Sequence, residues 1–199
     1  MKPLLFFVFL FVCHQSFGQG CFGKCLDHLK QPLNGQEDVK RRIAQSEKIL
    51  KKLVGCEAPD FNVKTIKGET LALHELRGKV VVINFWFESC ASCIADIPAL
   101  NRLADEFKDR DVVFIAFGKD SEFLIEKFLQ KRDFNYAIVS GRYDLVNDYC
   151  VIAGWPMNMV IDREGIVKFI KAGGNTDELA KSPMYDLMKP VIDEALGGS

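Results

Sequence analysis

The stretch KVVVINFWFESCASC, residues 79 to 93, decides the fold. It begins with an almost unbroken run of apolar and β-branched residues, Lys79–Phe87, which is typical of a central strand buried on both faces of a sheet. The residues from Cys90 to Phe107 then show a helical pattern, with Pro98 as a predicted kink. Cys90 and Cys93 therefore lie where a buried strand gives way to a helix.

This position favours redox chemistry at the Cys-Ala-Ser-Cys sequence. Unpaired backbone N–H groups and the positive end of the helix dipole stabilise a thiolate at the start of a helix. We expect Cys90 to be the nucleophile and the more buried Cys93 to be the resolving thiol that attacks the mixed disulfide. Two alternatives stay open: a purely structural disulfide, and a zinc site to which His28 and His74 would have to add ligands.

Outward from this stretch, short strand patterns alternate with helical ones. Strands are predicted at Asp111–Phe117 and Tyr136–Val139, hairpins at Phe61–Ile66 with Thr70–Leu73 and at Met157–Asp162 with Ile166–Lys171, and helices at Ser121–Lys131, Tyr143–Tyr149 and Thr176–Leu196. Such alternation predicts an α/β domain built on a mostly parallel sheet. We assign residues 56–199 to this domain.

The domain is preceded by an extension, residues 19–55. From Gln36 to Val54 the apolar residues recur at helical spacing, and Gly55 follows as a stop signal. One amphipathic helix is therefore predicted in the extension.

The N-terminus has the pattern of an export signal. An apolar run, Leu4–Val12, follows Lys2, and small residues stand at Ser16 and Gly18. The run has the length of a signal-peptide core and is too short for a spanning helix. We place the signal peptide at residues 1–18 and predict a periplasmic protein; an uncleaved anchor, or a lipoprotein attached through Cys13, would leave it tethered to the membrane by its N-terminus.

Composition narrows the function classes. The chain has 199 residues, 26 basic and 27 acidic, for a formal charge of −1. Nothing in this balance argues for a nucleic-acid surface. The seven cysteines are more informative about function, because cysteines of exported proteins can form lasting disulfides.

Several motifs occur in order along the chain. They are Phe85-Trp86, Cys90 to Cys93 with Pro98, and Gly154-Trp155-Pro156 ahead of a strand, together with Glu57–Phe61 and Ile161–Gly165. Together these motifs resemble those of the TlpA/ResA-like thiol-disulfide oxidoreductases of the thioredoxin superfamily. The resemblance covers roughly Gly55 to Leu196. It implies a thioredoxin-like fold, with a central mixed sheet flanked by helices and an N-terminal hairpin.

The resemblance also implies a substrate groove. Pro156 would be a cis-proline packed beside the disulfide, and the backbone of Trp155 would pair with an extended substrate segment. We expect Trp155, Pro156 and Trp86 to contact substrate. A plain proline at the start of a strand is the simpler interpretation of Pro156.

Asp96 lies where ResA-like proteins carry a glutamate. A carboxylate there could exchange a proton with Cys93, although its side chain is shorter; an exposed acid near a helix start is the alternative. Asn84 stands where thioredoxin has a buried acid, and an amide cannot shuttle a proton.

Glu88, close to Cys90 in the sequence, is expected to be solvated. Ser89 departs from the tryptophan that commonly precedes the first cysteine, so no redox potential is assigned.

The remaining cysteines suggest a structural role. A bond from Cys21 or Cys25 to Cys56 would fasten the extension to the domain, while Cys150 is expected to be a buried small apolar residue.

The sequence thus predicts an exported oxidoreductase that exchanges disulfides with other exported proteins, as a reductant supplied by a membrane-associated donor. No cofactor is expected. The alternatives are a thiol peroxidase, which would need a Pro-x-x-x-Thr-x-x-Cys loop not found before Cys90, and a metal-carrying binding module, which would need a downstream histidine.

Overall fold

The computed structural model describes residues 21–22, 35–174 and 182–197, so the predicted signal peptide, Cys25 and His28 lie outside the described residues. The helices are α1 (Gln36–Leu53), α2 (Ala91–Glu106), α3 (Glu122–Leu129), α4 (Asp144–Asp148) and α5 (Met184–Gly197). The strands are β1 (Asn62–Lys64), β2 (Thr70–Ala72), β3 (Val80–Trp86), β4 (Val112–Gly118), β5 (Ala137–Ser140), β6 (Met157–Ile161) and β7 (Val167–Ala172). Short 3₁₀ helices lie at Leu73–Leu76 and Val151–Ala153.

The central sheet has five strands in the order β5-β4-β3-β6-β7. Strands β3, β4 and β5 run parallel, whereas β6 is antiparallel to both β3 and β7. The sheet is therefore evenly mixed and not mostly parallel, because β6 runs opposite to β3 and the turn around Glu164 then reverses the chain again into β7. The thioredoxin-like mixed sheet flanked by helices is confirmed, and β1 and β2 form the predicted N-terminal hairpin.

The central strand β3 separates two apolar layers, and every one of its residues is buried. On one face, Val80, Val82 and Trp86 pack with apolar residues of α2, α3 and α5. On the other face, Val81, Ile83 and Phe85 pack with α1, the β1–β2 hairpin and α4. Because successive side chains of a strand point to opposite faces, β3 contributes apolar residues to both layers. This explains the unbroken apolar run in the sequence.

Most predicted elements are present with shifted ends. Helix α2 continues through Pro98 to Glu106, and the strands of the β1–β2 hairpin are shorter than predicted. The first part of the helix predicted from Thr176 lies outside the described residues, and α5 begins at Met184. None of the helices in the described part of the chain combines the length and the apolar character needed to span a bilayer.

The extension packs onto the domain. Helix α1 buries Ile49, Leu50 and Leu53 in the apolar layer that also contains Phe22. A disulfide joins Cys21 to Cys56, which confirms one of the two predicted pairings.

The prediction for Cys150 needs correction. Cys150 is fully buried, as expected, but its sulfur also forms a disulfide bond. Its backbone adopts the left-handed conformation, with φ of 59°, between α4 and the following 3₁₀ helix. Cysteine spacing carries no information on which thiols meet in space, so the sequence could not reveal this bond.

Candidate active site

The Cys-Ala-Ser-Cys sequence forms the turn between β3 and α2. Cys90 is the N-cap of α2, and its Sγ accepts a hydrogen bond from the Cys93 backbone N–H at 3.1 Å. The Cys90 N–H in turn donates to the Phe87 carbonyl, which closes the turn after β3. One sulfur of the pair thus faces the N–H groups at the helix start, where a thiolate is stabilised.

The two cysteines are joined by a disulfide and differ in access. Cys90 is 6% exposed and Cys93 is 1% exposed, so Cys93 is the more buried of the two. The Ser92 Oγ lies 3.5 Å from the Cys90 sulfur. Because the two sulfurs bond each other, this form offers no thiolate to a metal.

Pro156 lies beside the cysteine turn. The Trp155–Pro156 peptide bond is cis, as the resemblance implied, and Pro156 is buried at the start of β6. Gly174 fills the narrow space between the two: a Cβ on this residue would lie 3.1 Å from the Ser92 Cβ and 3.2 Å from the Pro156 Cδ. The proline, the glycine and the cysteine turn therefore form one closely packed unit.

Trp155 is half-buried at this site, and its ring packs edge-on against Phe87 with the centroids 5.5 Å apart. Trp86 is different. It is only 1% exposed, and its ring packs against Phe128 and Phe134 in the α2-side core. The prediction that Trp86 contacts substrate is therefore corrected, because Trp86 points, like Val80 and Val82, into the apolar layer that packs against α2, α3 and α5.

Asp96 is buried on the same helix face as Cys93. Its Oδ1 accepts a hydrogen bond from the Ser182 hydroxyl at 2.6 Å, and its Oδ2 accepts one from the Asn158 amide at 3.3 Å. Asn84 donates to the Asn158 side-chain oxygen at 2.8 Å, so a polar chain runs from β3 through β6 to α2. At 2% exposure, Asp96 is not the exposed surface acid of the alternative interpretation.

The environment of Asp96 sets its protonation. Burial is the largest effect and raises the pKa of this carboxyl above its ordinary value of 3.8, while the hydrogen bonds from Ser182 and Asn158 and the charge of Lys171 lower it. A pKa shifted upward brings a carboxyl closer to the range in which it can both accept and return a proton.

Comparison with known proteins identifies the family. The sequence model described as the AhpC/TSA family matches residues 54–170. The chain belongs to this family. The match covers the hairpin, the cysteine turn, Pro156 and most of β7, and it leaves out α1 and α5.

Relatives within the family are more specific. Thioredoxin-like protein YneN of Bacillus subtilis is 32% identical over 125 residues, covering 61% of this chain and 73% of the relative. The thiol-disulfide oxidoreductase ResA of Geobacillus kaustophilus is 33% identical over 126 residues, covering 63% and 72%. These similarities show a ResA-like thiol-disulfide oxidoreductase of the thioredoxin superfamily.

Solved structures agree on the fold. A crystal structure titled as a putative thiol:disulfide interchange protein DsbE from Chlorobium tepidum superposes with a TM-score of 0.61. It is 24% identical and covers 72% of this chain and 98% of its own.

Sequence reasoning missed three residues of the site, Gly174, Asn158 and Ser182. Asn158 was detectable in principle, since it is the only polar residue in the buried strand β6. Ser182 gives a weaker signal: its hydroxyl accepts the Met184 N–H at the start of α5, which is an ordinary helix-start role. Its contact with Asp96, 86 positions away, needs the fold.

Proposed function

We propose that this protein reduces disulfides in other exported proteins, with Cys90 and Cys93 as its redox-active pair. The observation that supports this best is the N-cap position of Cys90. Its sulfur accepts the Cys93 N–H at the start of a sixteen-residue helix, so the reduced form would hold a stabilised thiolate.

The first step would be attack by the Cys90 thiolate on one sulfur of a substrate disulfide. An S–S bond forms between Cys90 and the substrate, the substrate's own S–S bond breaks, and the departing substrate sulfur leaves as a thiolate that takes up a proton.

In the second step Cys93 loses its proton and attacks the Cys90 sulfur. The Cys90–Cys93 bond forms, the mixed disulfide breaks, and the second substrate thiolate is released and protonated. The substrate has gained two electrons and two protons, and the enzyme is left in the disulfide form described above. A dithiol donor must reduce it again, and we propose that this donor is membrane-associated.

Asp96 would serve the second step. It lies one helical turn beyond Cys93 on the buried face of α2, and its raised pKa suits a group that takes the Cys93 proton and later returns one. Asn158 and Ser182 would hold the carboxyl in place through their hydrogen bonds.

Trp155 and Pro156 would form the substrate surface beside Cys90. An extended segment of the substrate could pair with the Trp155 backbone while the half-buried indole provides an apolar contact. Trp86 has no part in this surface.

Export is proposed from the N-terminal run Leu4–Val12 and the small residues after it. A periplasmic location agrees with the disulfides at Cys56 and Cys150, which are stable under oxidising conditions. An N-terminal tether through an uncleaved anchor or Cys13 remains part of this proposal.

Active-site substitution tests the proposal. Cys90→Ser should abolish reduction of an insulin-like disulfide substrate, whereas Cys93→Ala should accumulate mixed disulfides through Cys90. Cys56→Ser is the matched control, because it removes a cysteine from a disulfide that lies outside the cysteine turn and should leave exchange intact. Undiminished insulin reduction by Cys90→Ser would refute the proposal, and turnover that depends on hydroperoxide would favour the peroxidase instead.

The trapped Cys93→Ala complexes also identify substrates. Recovery of exported proteins bound through Cys90, in the native host, would support the assigned compartment and direction. Recovery of no partner at all would argue against the resolving role of Cys93.

A further inference from the structure

A groove opens next to the redox-active turn, between α3 and the residues that follow β3. We call it the basic groove; it has a volume of about 390 Å³ and is lined by Glu88, Leu124, Lys127, Phe128, Lys131 and Arg132. Glu88 stands two positions before Cys90, a chain length of at most about 7 Å. The groove therefore lies within reach of any protein whose disulfide meets Cys90.

The groove is positively charged. Three of its residues, Lys127, Lys131 and Arg132, are cationic, and Glu88 is the only acid in the lining. Among residues 21–22, 35–174 and 182–197, no carboxylate lies within ion-pair distance of these three cations. Their charge is thus left for an outside partner, in a chain whose overall charge is only −1.

The groove also has an apolar floor. The Phe128 ring packs 5.0 Å from the ring of the buried Trp86, which fixes it to the core beneath the cysteine turn. The Arg132 guanidinium lies 5.6 Å from the Phe128 centroid, and Leu124 is 40% exposed at the groove. Cations around an aromatic and aliphatic floor fit a peptide that carries carboxylates beside an apolar side chain.

We propose that the basic groove binds an acidic segment of the protein that exchanges its disulfide at Cys90. This rests on the proposed function, since it concerns the partner of that exchange. Opposite charge would raise the rate of encounter, and the apolar floor would hold the segment while the sulfurs align. The groove would thus select among exported proteins by the charge that flanks their cysteines.

Two synthetic peptides test the proposal. Each is closed by one disulfide and flanked by four glutamates or by four glutamines, and each is mixed with the dithiol-reduced protein at low ionic strength. We expect the glutamate peptide to react about tenfold faster, and the difference to shrink at 0.5 M salt as charges are screened. Equal rates for the two peptides would overturn the proposal.

Matched double variants locate the effect. Lys127→Glu with Lys131→Glu should abolish or reverse the preference for the glutamate peptide. Lys64→Glu with Lys67→Glu makes the same change in charge on the β1–β2 hairpin and should preserve it. An equal loss in both variants would mean that net charge, and not the groove, determines the rate, which would also overturn the proposal.

Two further measurements separate this proposal from the proposed function. Hydroxyethyl disulfide is small and uncharged; if wild-type protein fails to reduce it, the redox assignment fails. Binding of a cysteine-free glutamate peptide, followed by amide NMR shifts at Glu88 and Lys127, reports on the groove regardless of redox activity. Absence of such shifts, or binding of phosphatidylglycerol vesicles in place of the peptide, would contradict an acidic protein segment as the occupant.

Discussion

At the scale of single residues, the burial of Asp96 determines the pKa of its carboxyl group. A carboxyl in the apolar layer beneath the cysteine turn would be costly when ionised, and three polar neighbours reduce this cost without removing it. The raised pKa is the result.

Asp96 should make stability depend on pH. Its pKa is raised in the folded protein, so ionisation is harder when folded, and the stability present below pH 3.8 is partly lost as the pH rises through the folded pKa. The unfolding free energy of Asp96→Asn should therefore rise relative to that of the wild type as the pH increases from below 3.8 through the folded pKa of Asp96, and then level off. Urea unfolding at a series of pH values measures this. The same trend in Asp109→Asn, an exposed control, would contradict the prediction.

Ser182 should position Asp96 and tune it. Its hydroxyl hydrogen bond lowers the pKa of Asp96, so Ser182→Ala should raise that pKa further and move the midpoint of the pH–rate profile for Cys93 attack to higher pH. Ser182→Thr keeps the hydroxyl and should restore the wild-type midpoint. Stopped-flow resolution of a preformed Cys90 mixed disulfide measures the profile. An unchanged midpoint in Ser182→Ala would leave Ser182 with the helix-start role alone.

At the scale of elements, the site depends on how closely three segments approach. The start of α2, the start of β6 and the residues after β7 meet at Gly174, and the Gly173 N–H donates to the Pro156 carbonyl at 2.8 Å. A Cβ between them would be tighter than an ordinary van der Waals contact, so the glycine favours the close approach and does not serve an unusual backbone angle.

Gly174→Ala should therefore loosen the site. Its methyl group would press on the Ser92 Cβ and the Pro156 ring, and overpacking of this kind costs about 1–3 kcal/mol. Insulin reduction should slow while the fold persists. Gly197→Ala is the control, because a Cβ there meets no atom within 4 Å. Thermal unfolding and insulin turnover of both variants measure the difference, and equal behaviour would disprove the close-approach argument.

The elements also show what the sequence could and could not predict. The strand Val80–Trp86 and the cysteine turn follow from local patterns, because hydrophobic periodicity and helix-start chemistry act over short distances. The expected contact of Trp86 with substrate is wrong because the orientation of its side chain depends on strand alternation and not on its closeness to Cys90 in the sequence. The hydrogen bond between Asp96 and Ser182 joins distant segments, which spacing does not encode, and cysteine spacing likewise does not reveal the disulfide of Cys150.

At the scale of the whole molecule, the extension and the domain share one core. Helix α1 and Phe22 contribute to the same apolar layer as β3, and the Phe22 ring lies 6.0 Å from that of Tyr149. The Cys21–Cys56 bond fastens these parts across a separation of 35 residues. Extension and domain should therefore unfold together.

Cys56→Ser tests how much the Cys21–Cys56 bond contributes to the stability of the joined extension and domain. Loss of the bond should lower the unfolding free energy by about 2–4 kcal/mol, because the unfolded chain gains freedom over a long loop. Peptide disulfide reduction at Cys90 should continue at the wild-type rate. Urea unfolding and the exchange assay measure the two effects separately. A loss of activity without a loss of stability would assign the Cys21–Cys56 bond to electron transfer.

The Cys21–Cys56 bond has a practical consequence for anyone who prepares this protein. A thiol enzyme is routinely purified from a reducing cytosol and stored in dithiothreitol. This reagent keeps Cys90 and Cys93 in the dithiol form, but it would also reduce the Cys21–Cys56 disulfide. Batches made in that way would differ from batches secreted into an oxidising medium in how firmly α1 is held. The expression host and the storage buffer should therefore be stated with every stability value measured for the protein.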